Sequence, residues 1–360
     1  MSRIIIQNGN MCELDLPLKF AQKLYNEFAI RHPNAFYLRT RQRGMQNWDG
    51  KIHYITKTGQ FKIGLLPKVY DMCIEMGIKP KVVDMRQPLP KVSKVVTNIG
   101  KYKLRPEQEK AVKAVINNKI GNTPFHIGVL DYTVNAGKTL IMSSLYLSYK
   151  KQLKTLLITN DSDWLNQARE EFKQYLPGED ITFVQGKVLN WSNFTIGMVQ
   201  SISRNMRFYQ KELSQIDMVL IDEADQGGSK QYQNVITRLF NTRIRIGLSG
   251  TIYMSKLAKD RVKNMNLECF FGKVIAEFKL KDSIKKGYST KTVVKMVPGK
   301  PWYGNWESDC ISYKEIYDDS ITNCYTAWLM AYNRLLWNLN QGRYPALVVC
   351  KHIAHRPLSE

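Results

Sequence analysis

An apolar run that leads into a short polar loop and then into a helical pattern is the feature that most constrains the fold. Residues 125–130 have the composition of a buried strand, residues 133–139 read Thr-Val-Asn-Ala-Gly-Lys-Thr, and residues 138–149 have helical character. A strand, a glycine-containing loop and a helix in this order form a cradle of backbone N–H groups for phosphates. The segment therefore predicts a phosphate-binding loop.

Each position of the loop has an expected role in holding ATP and Mg²⁺. Asn135, Ala136 and Gly137 supply the loop backbone that faces the phosphates, Lys138 supplies an ammonium group to the β- and γ-phosphates, and Thr139 supplies a hydroxyl to Mg²⁺. The same residue types also occur where a loop simply begins a helix, so the loop alone does not decide the function.

A second motif supplies carboxylates. Asp222-Glu223-Ala224-Asp225 follows an apolar strand pattern at residues 217–221. Asp222 is expected to hold Mg²⁺, and Glu223 to orient or deprotonate the attacking water. Acidic residues after a strand are also common helix caps. The two motifs together predict a nucleoside-triphosphate hydrolase with Lys138, Asp222 and Glu223 as its catalytic groups.

Strand-like runs alternate with helical stretches through the middle of the chain. The runs lie at residues 125–130, 155–159, 194–199, 218–221 and 244–248. Such alternation predicts an α/β fold with a parallel sheet covered by helices on both faces. The expected domains are a small α/β nucleic-acid-binding domain at residues 1–95, an ATP-binding domain at 96–277, and a partial domain at 278–360, with a proline- and lysine-containing linker at 86–103.

The chain is strongly basic. Its 360 residues contain 53 Lys and Arg against 31 Asp and Glu, for a formal net charge of +22. An excess of this size attracts polyanions, so nucleic acid is the expected partner.

Other sequence features concern the compartment in which the chain works. The cysteines are widely separated and contain no C-x-x-C pair, which argues against a zinc ribbon or a disulfide framework and fits a reducing compartment. No apolar run reaches membrane-spanning length, and residues 4–6 are too short for a signal peptide and are expected to form a first strand. These features predict a cytoplasmic protein, in the host cytoplasm if a phage encodes it, with no membrane partner.

A basic segment near the amino terminus suggests a nucleic-acid contact surface. Residues 37–43 read Tyr-Leu-Arg-Thr-Arg-Gln-Arg, and in an extended strand Arg39, Arg41 and Arg43 would share one face. Like charges on one face repel each other unless anions lie across them, so these arginines are expected to contact phosphates. The alternative is a solvated hairpin face.

The residues that follow are expected to complete a hairpin with that strand. Asn47-Trp48-Asp49-Gly50 offers a turn, and residues 51–55, beginning with Lys51, offer the partner strand. Lys51 is expected to add to the phosphate contacts. Trp48 is expected to pack in the core rather than to stack on bases.

Four motifs in fixed order resemble those of superfamily 2 helicases. They are Leu104-Arg105-Pro106-Glu107-Gln108, residues 133–139, residues 222–225, and Ser249-Gly250-Thr251. In addition, Asn47-Trp48-Asp49-Gly50-Lys51-Ile52 and the later Gly64-Leu65-Leu66 are similar to the extra domain of the phage UvsW-type recombination and branch-migration helicases. The resemblance implies RecA-like lobes with ATP between them, and an amino-terminal domain that grips branched DNA in recombination, repair or replication.

The resemblance also implies roles for individual residues. Arg105 and Gln108 would contact adenine, and Asp225, Ser249 and Thr251 would couple the ATP state to movement of the lobes. Four residues at the carboxyl ends of strands would contact the nucleic-acid backbone: Thr159, Asn160, Gln200 and Ser201. Thr, Asn and Ser after a strand also serve as helix caps, so that interpretation stays open.

The resemblance leaves a difference in the second lobe and two alternative functions. Family members have a complete second lobe with an arginine-containing motif near its end, whereas residues 278–360 are expected to hold only the start of it. A truncated or split form, or a separate polypeptide that completes the lobe, is the expected explanation. The alternatives are an RNA remodelling helicase, since residues 222–225 spell DEAD, and a non-catalytic nucleic-acid-binding protein derived from a helicase.

Overall fold

The computed structural model describes residues 2–41, 47–149, 152–186, 191–252 and 260–291, and six single helical positions between 329 and 340. The chain divides into two compact units, Met1–Thr290 and Lys291–Glu360, and all elements below belong to the first. Arg43 lies outside the described residues, as does most of the partial domain expected at residues 278–360.

Strands and helices alternate along the first unit. The strands are β1 (Arg3–Ile6), β2 (Met11–Asp15), β3 (Ala29–Arg31), β4 (Lys51–His53), β5 (Gln60–Lys62), β6 (Lys81–Asp84), β7 (Asn98–Ile99), β8 (Tyr102–Lys103), β9 (Lys119–Ile120), β10 (Thr123–Pro124), β11 (His126–Tyr132), β12 (Thr155–Thr159), β13 (Ile181–Val184), β14 (Phe194–Met198), β15 (Met218–Asp222), β16 (Ile244–Ser249) and β17 (Val274–Phe278). The helices are α1 (Leu18–Glu27), α2 (Ala35–Arg41), α3 (Leu66–Glu75), α4 (Pro106–Ile116), α5 (Lys138–Ser148), α6 (Ser162–Tyr175), α7 (Val199–Arg204), α8 (Gln210–Ser214), α9 (Lys230–Ile236), α10 (Arg261–Phe271) and α11 (Leu280–Lys285), with 3₁₀ turns at Ile63–Leu65 and Ala224–Gln226.

The central element is a seven-stranded sheet in the order β13-β14-β12-β15-β16-β11-β17. All of its strand pairs are parallel. The predicted α/β fold is therefore confirmed. In a parallel sheet of this kind the ligand site lies at the carboxyl ends of the strands. β11, β12, β15 and β16 bring the phosphate loop, residues 159–160, Asp222 and Ser249 to that edge.

The central strands are apolar because both faces of the sheet are covered. Every residue of β11 is buried, and its side chains alternate between two hydrophobic clusters. Ile127 and Val129 belong to the cluster that also contains the amino-terminal strands, whereas Leu130 and Tyr132 pack in the cluster that contains residues of α4 and α5. This pattern follows from the two-residue side-chain period of a strand.

A four-stranded sheet, β5-β2-β1-β6, forms the amino-terminal part and packs closely on the central sheet. The predicted first strand at residues 4–6 is confirmed as β1. Arg245 of β16, which is completely buried, donates hydrogen bonds to the carbonyl of Gly9 (2.6 Å), to Oδ1 of Asn10 (2.8 Å) and to the carbonyl of Phe270 (3.1 Å). The loop between β1 and β2 is thereby fastened to the interior of the central sheet.

The hairpin predicted from residue 37 onward is wrong. Residues 35–41 form helix α2, and β4 pairs instead with β3, which precedes the helix. Pro33 has no N–H to continue a ladder, and the Ala, Leu and Arg residues that follow favour a helix. Successive residues of a helix are separated by about 100°, so Arg39 and Arg41 lie on nearly opposite sides of α2 rather than on one face.

Candidate active site

The phosphate loop joins the end of β11 to α5. Asn135 has φ +63° and Gly137 has φ +73°, so the loop turns through two left-handed residues before the helix begins. A Cβ atom at Gly137 would lie 2.3 Å from Nε2 of Gln108, and the positive φ strains any side chain there, so a larger residue would displace the Gln108 amide from the loop. The first N–H groups of α5 have no partner within the helix, which makes this end suited to anions.

Lys138 stands between the loop and the two carboxylates predicted to be catalytic. Its Nζ atom lies 3.3 Å from Oε1 of Glu223 and 3.7 Å from Oδ1 of Asp222. The predicted catalytic groups therefore meet at one point, at the carboxyl end of β15. Both carboxylates are close enough to offset the charge of the lysine.

Asp222 is an unusual carboxylate because it is buried and incompletely paired. Its side chain is 3% exposed, and its Oδ1 atom accepts no hydrogen bond from the described residues. Burial raises the pKa of Asp222 to about 6, with Lys138 opposing this effect and Glu223 adding to it. A buried carboxylate oxygen without a hydrogen bond and the hydroxyl of the half-buried Thr139, in the first turn of α5, are together a donor set that fits Mg²⁺, which prefers oxygen ligands and few protein groups.

Glu223 and the residues after it link two strand ends. Glu223 has φ +51° and ψ +53°, a left-handed conformation that is costly for a non-glycine residue and is concentrated at functional sites. The Oγ atom of Ser249 donates to Oδ1 of Asp225 at 3.1 Å and accepts from the N–H of Thr251 at 3.2 Å. The three residues predicted to couple ATP state to movement are thus in contact at the ends of β15 and β16.

The predicted adenine motif packs against the phosphate loop. Gln108 is 1% exposed, accepts from the N–H of Arg105 (2.8 Å) and donates to the carbonyl of Ala136 (2.8 Å). Arg105 donates to the carbonyl of Asn135 at 3.0 Å. The structure therefore shows these side chains supporting the loop backbone, and their contact with adenine stays a prediction.

Three of the four strand-end residues predicted to touch nucleic acid meet at the same edge of the sheet. Gln200 donates to the carbonyl of Asn160 at 3.1 Å, and Asn160 donates to Oε1 of Gln226 at 2.6 Å. Thr159 is buried and accepts from the N–H of Asp161 at 3.2 Å, whereas the helix cap of α6 is Asp161 itself. Ser201, the fourth, accepts from the N–H of Gly186 at 3.0 Å. The contact of these four residues with nucleic acid stays a prediction.

A second concave site lies in the amino-terminal part. A cavity of about 540 Å³ between α2, β3 and β4 is lined by several residues, with Arg31, Arg39 and Lys51 as its cations. Phe36 at its edge is 79% exposed, and Arg41 stacks on Tyr37 with 5.1 Å between guanidinium carbon and ring centroid. Arg39 and Lys51 both line this cavity, with Arg39 on a helix rather than on the predicted strand, and their contact with nucleic acid stays a prediction. Trp48 is half-buried and donates to the carbonyl of Lys51 at 2.9 Å.

Sequence reasoning missed several residues around the active site. Tyr288 lies under the guanidinium of Arg105, Lys286 pairs with Glu107, and the buried Tyr232 hydroxyl has no hydrogen-bond partner among the described residues. These residues stand outside the motifs and reach the site only through tertiary packing. No described helix has both the length and the apolar character needed to cross a membrane.

Comparison with known proteins finds a matching family model and a curated relative. Residues 101–254 match the family model described as "Type III restriction enzyme, res subunit". A curated relative, the ATP-dependent DNA helicase UvsW of Enterobacteria phage T4, is 22% identical over 228 residues, which make up 57% of this chain and 43% of the relative. The chain thus spans less than half the length of that relative.

Two crystal structures of T4 UvsW have a similar fold. One, of the UvsW helicase, has a TM-score of 0.60 and 20% identity and covers 77% of this chain and 99% of its own. The other has a TM-score of 0.59 and 19% identity and covers 99% of this chain and 71% of its own.

The parallel sheet with its phosphate loop defines an α/β protein of the RecA-like type. In its motifs, its family match and its curated relative, the chain is similar to superfamily 2 helicases, among them UvsW.

Proposed function

We propose that the chain is the ATP-hydrolysing motor part of a DNA helicase or translocase that acts on branched DNA in recombination, repair or replication. One observation carries the proposal: Lys138, Asp222 and Glu223 meet within 3.7 Å, and the buried Oδ1 atom of Asp222 has no hydrogen-bond partner among the described residues. A charged cluster with an unsatisfied buried oxygen is costly for a fold, so a ligand that uses it is the simplest explanation.

The residues divide the chemistry among them. The backbone of residues 135–137 and the start of α5 bind the phosphates, and Lys138 moves from the carboxylates to the phosphate oxygens. Glu223, whose side chain is 44% exposed, reaches the solvent side and orients or accepts a proton from the attacking water. Mg²⁺, when held by Asp222 and Thr139, would offset the charge that develops on the transferred phosphoryl group.

Nucleic acid would be held at two places. The cavity beside α2 presents Arg31, Arg39 and Lys51 to phosphates, with the exposed Phe36 available for stacking. Asn160 and Gln200 form the second place, at the sheet edge that also carries Asp222 and Glu223. Contacts at that edge would let bound DNA bias the site that hydrolyses ATP.

The first experiment is a calorimetric titration of ATP with Mg²⁺ into the wild type and Lys138→Ala. Binding is expected in the wild type and is expected to be lost in the variant. Lys173→Ala is the matched control, because Lys173 is 63% exposed and pairs with Glu170 on the surface. Equal affinity in the wild type and Lys138→Ala would refute the nucleotide site.

The second experiment separates hydrolysis from binding and DNA from RNA. Single-turnover hydrolysis of bound ATP is expected to rise with forked DNA and to be abolished by Glu223→Gln, while ATP binding persists. Forked RNA of the same sequence tests the alternative that the DEAD residues suggest. Stimulation by RNA alone would favour a remodelling helicase, and binding without hydrolysis on either nucleic acid would favour the non-catalytic alternative.

A further inference from the structure

The segment that follows the central sheet returns to the adenine motif. After β17, Lys279 is hydrogen-bonded to Asp131 of β11, α11 follows, and the chain then reaches the start of α4. There Nζ of Lys286 donates to Oε2 of Glu107 at 2.8 Å. Both ends of this segment, residues 279–288, are therefore anchored to elements of the nucleotide site.

Tyr288 makes the second contact of this segment with α4. The guanidinium carbon of Arg105 lies 4.3 Å from the centroid of the Tyr288 ring. A cation at this distance over an aromatic face is attracted by the ring quadrupole. The ring is about one third exposed, at 36%, so it faces solvent as well as Arg105.

Arg105 is held from several sides at once. Its Nη2 atom donates to the carbonyl of Asn135 at 3.0 Å, its Nε atom lies 3.3 Å from Oε1 of Glu107, and Tyr288 covers its face. A Cβ atom at Gly137 would lie 3.3 Å from the same Nη2 atom, so the guanidinium touches the phosphate loop itself. A planar guanidinium fixed in this way is a rigid element of the site.

The residues on the two sides of the phosphate loop indicate which way a nucleoside triphosphate would lie across it. Lys138 and the carboxylates Asp222 and Glu223 mark the side where the terminal phosphate is cleaved. Arg105 and Tyr288 lie on the side of α4, where Gln108 packs on the loop. A triphosphate that spans the loop therefore directs its nucleoside toward Arg105 and Tyr288.

We propose that Tyr288 is a positioning residue for the nucleoside end of the ligand, which acts by holding Arg105 in place. This inference rests on the proposed nucleotide function. Because Tyr288 belongs to the segment that leaves the central sheet, nucleotide binding and the order of that segment are coupled, and the coupling is reciprocal.

The test compares ligands that differ only in the nucleoside. ATP, ADP and inorganic tripolyphosphate, each with Mg²⁺, are titrated calorimetrically into the wild type, Tyr288→Ala and Tyr288→Phe. Tyr288→Ala is expected to weaken ATP and ADP by roughly 3- to 30-fold, the range of one cation–π contact, and to leave tripolyphosphate within about twofold. Tyr288→Phe keeps the ring and is expected to bind all three as the wild type does.

Two further variants show that Tyr288 works through Arg105. Arg105→Ala is expected to lose the same preference for nucleosides, and the double variant is expected to lose no more than Arg105→Ala alone. Tyr102→Ala is the matched control, since its ring also lies near a cation, 5.5 Å from Nζ of Lys101, but packs on Tyr175 instead of the loop.

Other results would overturn the inference. Unchanged ATP affinity in Tyr288→Ala would remove its role, and an equal loss for all three ligands would assign it to general structure. Failure of the proposed function looks different, because the wild type would then bind neither ATP nor tripolyphosphate.

Discussion

Replacing Asp222 by Asn is expected to stabilise the ligand-free protein while it removes the use of Mg²⁺. The pKa of Asp222 is raised from 3.8 to about 6 by burial, and the side chain is 3% exposed. The folded state therefore binds this proton more tightly than the unfolded chain. The contribution of Asp222 to the free energy of unfolding is thus greatest at low pH and falls as the pH rises from about 4 to about 6.

The difference between these pKa values sets an upper limit on the effect. It corresponds to about 3 kcal/mol of destabilisation above pH 6, which Asn would relieve because it carries no charge to desolvate. Since Lys138 loses one of its two neighbouring carboxylates, we expect a net gain of about 1 to 3 kcal/mol at pH 7.5, or at least about 2 °C in Tm. At pH 4 the gain should largely vanish.

The same pKa predicts how binding depends on pH. About one tenth of Asp222 is ionised at pH 5 and about nine tenths at pH 7, so Mg²⁺-dependent nucleotide affinity should be about tenfold weaker at pH 5. Asp222→Asn should lose this pH dependence. A pH dependence that persists in Asp222→Asn would come from titration of the nucleotide itself.

Thermal unfolding at pH 4 and pH 7.5, with and without Mg²⁺ and ADP, measures both effects. Asp217→Asn is the matched control, because Asp217 lies just before the opposite end of β15 and accepts from Arg243 at 2.6 Å. Removing that paired carboxylate should lower the free energy of unfolding, whereas Asp222→Asn should raise it. A ligand-free Asp222→Asn variant that melts below the wild type at pH 7.5 would refute the reasoning.

Two other predictions test the loop and the basic cavity. Gly137→Ala should lose nucleotide binding, because its Cβ atom would lie 2.3 Å from Nε2 of Gln108; normal ATP affinity by calorimetry would contradict the described loop. Arg39→Ala combined with Lys51→Ala should make the slope of log K against log salt for duplex DNA shallower by up to about 2, as measured by fluorescence anisotropy. An unchanged slope would assign that cavity to a solvated surface.

The motifs of the active site could be predicted because their signals are local. A buried strand, a loop glycine with positive φ and a helix follow one another in the chain, and the strand patterns place Asp222 and Ser249 at the same edge of a parallel sheet. The arrangement of β11, β15 and β16 side by side then brings the motifs together. The motifs themselves can be recognised without knowing which strands pair or how far apart their residues lie in the fold.

The amino-terminal helix shows where local reasoning fails. Residues 37–43 fit the alternation of a strand, yet the partner of β4 is β3, a pairing of short strands that tertiary contacts decide. His32, Pro33 and Asn34 before α2 did carry a turn signal that competed with the hairpin. Tyr288 had no signal at all, because only the return of the chain after α11 brings it to Arg105.

The packing between the two sheets bears on how a motor of this kind would use its amino-terminal part. Arg245 is buried without a carboxylate among its hydrogen-bond partners, and burial lowers its pKa to about 9, so it remains charged at neutral pH and depends on the carbonyls of Gly9 and Phe270. Gly9 lies against the backbone carbonyls of residues 239–242, and Gly64 lies against those of residues 268 and 269. A Cβ atom at either glycine would clash with this backbone. Arg245 shares β16 with Ser249, which bonds Asp225 at the active site. The strand β16 therefore has an active-site contact at one end and, near the other, a buried arginine that bonds the loop between β1 and β2. This strand connects the amino-terminal sheet physically with the nucleotide site.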